Sequence, residues 1–147
     1  MRLDSDALGA EVATIRHFEE IEAWQTARKL ANMVYELSKR GEFARDFGLR
    51  DQMRRAAVSI LSNIAEGYES RTQALFIDLL GRAKGSAGEV RAQAYVALDQ
   101  RYIDQKQFDV LHDLADKAAR QIYRFMSYLE SRPNARQVRE DRAGYHV

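Results

Sequence analysis

The chain has 147 residues, 46% of them hydrophobic and 31% charged, which fits one soluble globular domain large enough to bury a core. Its 23 Lys and Arg against 22 Asp and Glu leave a formal net charge of +1, so no overall field pulls it toward nucleic acid or an acidic lipid surface. The absence of cysteine excludes disulfides, thiolate metal sites and a Cys nucleophile, and no apolar run is long enough to span a membrane; a cytoplasmic protein is expected.

Residues 1–17 hold Asp4, Asp6 and Glu11 against Arg2 and Arg16 and show no apolar period. They read as a solvated N-terminal extension. A bundle domain over 18–132 follows. The first helix is predicted to start at Phe18–Glu22, with Trp24, Ala27, Ala31, Val34 and Leu37 spaced by three or four along one face. It should stop at Lys39–Gly41, where cations meet the negative helix end and glycine can take the left-handed cap. The connector GEFARDFGL reads as a loop whose Phe43, Phe47 and Leu49 lid one end of the core.

A second helix is predicted from Leu49 to Glu66, with Met53, Ala56, Ala57, Ile60, Leu61, Ile64 and Ala65 as its apolar stripe and Gly67 as the residue just past its end. Ser70 would cap the third helix, and Gln73 would complete a capping box. That third helix, Thr72 to Asp99, is a rod of about 40 Å. Leu75, Phe76, Leu79, Leu80, Ala83, Ala87, Val90, Ala94 and Leu98 keep its period, and Gly81, Gly85 and Gly88 fall inside it. Asp104 would cap the fourth helix, which carries Phe108, Leu111, Ala115, Ala118, Ile122, Phe125 and Leu129 and ends at Ser131–Arg132 before Pro133. Residues 133–147, with Arg136, Arg139 and Arg142 against Glu140 and Asp141, read as a flexible tail. Four long helices, short connectors and no strand signal specify an all-α protein, an antiparallel up-down-up-down four-helix bundle.

The glycines need a reason. Each costs about 1 kcal/mol relative to alanine inside a helix, so something should offset Gly81, Gly85 and Gly88. The expectation is close approach of another backbone to the side of the rod they share. Ala56, Ser59 and Asn63 of the second helix, with Ser62 and Glu66 beside them, offer a matching small surface. Serine hydroxyls can bond back one turn, whereas Asn63 should reach a neighbouring helix or Glu66. Tight packing within one chain is the favoured use of this seam, over a ligand pocket or a contact with another subunit.

Catalytic patterns are weak. Asp109-x-x-His112 with Asp116 is the nearest approach to a carboxylate-histidine metal motif, and no second copy accompanies it. Neither Ser59 nor Ser86 has a nearby base, and GRAKGSAG is not a phosphate loop. No enzyme, cofactor, metal or small-molecule substrate is expected. Arg50, Arg54 and Arg55 crowd the start of the second helix, where the dipole favours acids. They pair with Asp46 and Asp51 on one reading, and on another they form a site for phosphate, nucleic acid or an acidic partner.

The string RAAVSILSNIAEG followed by GSAGEV resembles a family of small bacterial four-helix-bundle proteins. That family includes products of intervening sequences in large-subunit ribosomal RNA genes and the accessory variability determinants of diversity-generating retroelements. The resemblance covers about Phe18 to Leu129. Trp24, Gln25 and Ala27, then Arg55, Ala56, Ser59, Ile60, Asn63, Ile64, Ala65, Glu66 and Gly67, and then Gly85, Ser86 and Glu89 stand at its motif positions. It implies a homo-oligomeric ring, typically a homopentamer, and most members have no known enzymatic activity. Retroelement members bind a reverse transcriptase and nucleic acid. The resulting expectation is an oligomeric scaffold for a protein or ribonucleoprotein partner, and the alternative is a ring holding RNA or DNA phosphates through Arg50, Arg54 and Arg55.

Overall fold

The computed structural model describes residues 15–132. Four long helices carry the fold: α1 (Glu22–Ser38), α2 (Phe47–Glu69), α3 (Gln73–Asp99) and α4 (Gln105–Ser131). A 3-10 turn, Phe18–Glu20, precedes α1, and a short helix, Gly41–Arg45, joins α1 to α2. Each long helix packs on its neighbours in the chain, and α1 closes the ring against α4. The result is the antiparallel up-down-up-down bundle. Among the described residues no strand occurs.

The apolar stripes meet along the axis. Alanines 27, 57, 83, 87, 94, 115 and 118 are fully enclosed, which lets the rods approach closely, while Leu30, Ile60, Ile64, Leu111 and Ile122 fill the space between layers. Aromatic rings close both ends. Phe76 meets Phe125 edge-on at 5.4 Å and Tyr68 at 6.3 Å; at the other end Phe43 stacks on Tyr102 at 5.4 Å. Phe43 is thus the lid expected of the connector, but Phe47 is 63% exposed and lids nothing. The connector itself is helical rather than a loop, with Gly41 in left-handed geometry (φ 58°).

Helix ends follow local chemistry. The Asp46 side chain accepts from the Leu49 amide (3.1 Å) to cap α2, and its other oxygen accepts from the Tyr102 hydroxyl (2.9 Å). That hydrogen bond to a carboxylate raises the Tyr102 hydroxyl above its ordinary pKa, with burial adding to the effect. Asp104 and Gln107 form a reciprocal capping box at α4. The α3–α4 turn places Arg101 in left-handed geometry (φ 62°), with the Tyr102 amide donating back to the Ala97 carbonyl (2.9 Å) in a Schellman closure.

The end of α2 and the start of α3 differ from the sequence reading. α2 runs through Gly67 to Glu69, so Gly67 is an interior residue and not a cap. Thr72, not Ser70, caps α3 by accepting from the Leu75 amide (3.2 Å). Ser70 instead ends α2 and donates to the Gly67 carbonyl (2.6 Å), and Gln73 donates to the Leu129 carbonyl (2.6 Å), tying α3 to the end of α4. The extensions expected over 1–17 and 133–147 lie outside the described residues except for 15–17. There Ile15 is buried, and its carbonyl accepts from the Tyr68 hydroxyl (3.4 Å).

Candidate functional site

The three arginines at the start of α2 do not converge. Arg50 turns back to the connector, donating to the Ala44 carbonyl (2.9 Å) and to Asp51 (2.9 Å) with its guanidinium 4.7 Å from the Phe47 ring centre. Arg54 turns to α1, donating to the enclosed Ser38 hydroxyl (2.8 Å) while lying 4.6 Å from the Tyr35 ring centre. Arg55 is exposed on the α3 side. One anion seat at this helix start is already taken by the Asp46 carboxylate. Contacts within the chain therefore engage Arg50 and Arg54, but of the expected ion pairs only Arg50 with Asp51 forms, Asp46 being taken by Leu49 and Tyr102.

The polar seam is real but arranged differently from the expectation. Asn63 donates to the Ser59 carbonyl (2.8 Å) and hydroxyl (2.9 Å), one turn back in its own helix rather than across to another or to Glu66. The crossing bond comes from Ser86 of α3, whose hydroxyl donates to Ser59 (3.0 Å). Beside it runs an open groove of about 410 Å³ lined by Gln52, Arg55, Ala56, Ser59, Glu89 and Gln93. Glu66 is exposed.

The glycines of α3 are not met by α2. At 3.6 residues per turn they lie opposite the enclosed Ala83, Ala87 and Val90, on the outward side of the helix. A methyl group on Gly81 would touch the Met126 methyl at 3.6 Å, an ordinary contact, and on Gly85 or Gly88 it would meet nothing within 4 Å. Tight packing within the chain, the favoured use, is therefore corrected at these two positions. The close approach sits at Gly67, where a Cβ would fall 2.7 Å from the Phe76 ring and 3.2 Å from Leu79.

A second groove, absent from the sequence reading, runs beside α3 over the outward side of α4. It encloses about 650 Å³ and is lined by Lys84 and Arg91 of α3 and by Asp116, Lys117, Arg120, Tyr123 and Arg124 among the residues of α4. Asp116 accepts from the Arg120 Nε (2.9 Å) and lies 3.9 Å from Arg91. Arg124 is 3.9 Å from Glu22 of α1. The Nε atoms of Arg91 and Arg124 are enclosed and meet no hydrogen-bond acceptor among the described residues. Five cations and one carboxylate thus line the groove. The signal was in the sequence as Lys117, Arg120 and Arg124 on one helical face and Lys84 and Arg91 seven residues apart.

His112 packs against the rings of Tyr95 (5.8 Å) and Phe108 (5.4 Å). Among the described residues no three His, Asp or Glu side chains converge as metal ligands, and no helix is long and apolar enough to cross a membrane.

Comparison with known proteins agrees with the architecture. A protein of unknown function from the S23 ribosomal protein family of Bacteroides thetaiotaomicron superposes with a TM-score of 0.66 at 19% identity, covering 71% of this chain and 95% of the other. At that identity the likeness speaks for the fold. No functionally curated protein matches. The description of the 23S rRNA-intervening sequence protein family matches residues 19–124, which include every long helix but the last turns of α4 and both quoted motifs, and the chain belongs to that family.

Proposed function

We propose that this protein is a non-enzymatic, homo-oligomeric helical scaffold that binds a macromolecular partner, with the outward side of α3 meeting a second copy. One observation carries the reading. Gly85 and Gly88 sit in the middle of a 27-residue helix with nothing among the described residues within 4 Å of the missing Cβ, so the described bundle does not recover the cost of about 1 kcal/mol each. A neighbouring subunit pressed against the bare backbone would recover it. Val96, 45% exposed and close in angle to Gly85 on the same helix, adds apolar area for such a contact. Next to it, the Ser59–Ser86–Asn63 network presents a flank whose polar groups already have partners, so covering it costs little desolvation.

The likeness of RAAVSILSNIAEG and GSAGEV to ring-forming relatives, including retroelement accessory proteins, supports the same reading and favours five copies. Contact with nucleic acid through Arg50, Arg54 and Arg55 is the weaker alternative, because Arg50 and Arg54 are engaged within the chain. Sedimentation velocity across a hundredfold concentration range tests the scaffold. An assembled species is expected that dissociates in Gly85→Arg with helical circular dichroism retained. A wild-type monomer at every concentration would overturn it.

A further inference from the structure

We propose that the groove beside α3 and over α4 binds the phosphate backbone of single-stranded nucleic acid, with Tyr123 as a stacking face for a base. The chain's net charge of +1 hides a polarised surface: five of its cations and a single carboxylate line this one groove, so the remainder of the chain is acidic overall. Such a local excess focuses field where the whole molecule has almost none. Lys84 to Arg91 and Lys117 to Arg124 each cover about 10 Å of helix, and because α3 and α4 are antiparallel the two rows lie side by side. This geometry suits a track of a few phosphates better than a point site for one anion.

The groove's cations outnumber its acids. Asp116 serves both Arg91 and Arg120, and Glu22 is 3.9 Å from Arg124. Arg120 is 70% exposed and Arg91 41%, so their outer N–H groups are open to phosphate oxygens, which suit forked donors. Tyr123, at 58% exposure, is the aromatic element, and the Lys84 ammonium lies 5.4 Å from its ring centre. A stacking ring beside a cationic track is how proteins hold unpaired bases; a duplex or an acidic peptide would leave the ring unused. All the lining side chains come from one chain, and Lys84 and Arg91 lie three residues from Gly81 and Gly88 on the same side of α3, so a second copy meeting that side would border the groove.

The test is fluorescence anisotropy of the full chain with a labelled 12-nucleotide uridine RNA, a duplex of equal length, and polyglutamate. Binding of the single strand should weaken with salt, with a logarithmic slope of about −0.7 for each phosphate contacted. Reversing the exposed Lys117 and Arg120 to Glu together should lower affinity at least tenfold. Tyr123→Ala should lower it roughly tenfold while leaving the salt slope unchanged, and Arg55→Glu on the other groove should change nothing. Lys84→Glu gives an independent reversal from α3 if the double variant does not fold. Salt-insensitive or absent binding, equal affinity for polyglutamate, or a duplex bound as tightly with Tyr123→Ala silent would each overturn the proposal.

Discussion

Gly67 in α2 and Gly85 in α3 are both interior glycines of long helices, and a methyl group added to each would meet opposite surroundings. At Gly67 the neighbouring helix is already there: the Phe76 ring would be 2.7 Å from the new carbon and Leu79 3.2 Å. At Gly85 there is open space. The first glycine is a response to the fold of this chain. The second answers to nothing among the described residues, and the proposed subunit contact rests on that difference. A mid-helix glycine is therefore informative only once its surroundings are known, because its intrinsic cost is the same in both places.

Substitution can break this contrast. Gly67→Val should destabilise the bundle by about 2–3 kcal/mol, through overpacking against a ring and a backbone-proximal carbon, as read by urea denaturation. An unchanged midpoint would mean that Phe76 swings aside freely and that the close approach is not constraining. Gly85→Ala with Gly88→Ala should move the other way, raising the stability of dilute, dissociated protein by about 1–2 kcal/mol through helix propensity alone. A loss of stability there would mean that the outward side of α3 is covered even in the monomer.

The smallest effect concerns the opposite end of the bundle, away from both glycine positions. Tyr102 holds its proton more tightly when folded, because ionising it would place a phenolate against the Asp46 carboxylate. Its folded pKa lies above the unfolded value of about 10. The stabilisation is thus complete below pH 10 and is lost as pH rises through the raised folded value. Tyr102→Phe should flatten that alkaline decline in thermal midpoint, and an identical pH profile in the variant would show that the hydrogen bond does not survive in solution.

Much of the bundle was legible because each helix needs one apolar face, and a face repeats within a few residues. The stripes through Leu30, Ile60, Val90 and Ile122 could be read with local information only. Gly67 could not: a glycine that ends a helix and one that lies under a crossing helix look alike until Phe76 is known to fold back on it. Asn63 was misassigned for a related reason, since the nearest acceptor was its own helix one turn earlier. The cationic groove depends on Lys84 and Arg91 meeting Lys117, Arg120 and Arg124 across an antiparallel turn. A net charge sums over that geometry and conceals it.

Asp46 joins parts of the chain that are distant in sequence, one carboxylate oxygen holding the Leu49 amide and the other the Tyr102 hydroxyl. Fraying of the first turn of α2 and loosening of the corner between α3 and α4 thereby share one fastener. Amide exchange at Leu49 should consequently report on motion more than fifty residues further along the chain, so this end of the bundle opens as a unit or stays shut.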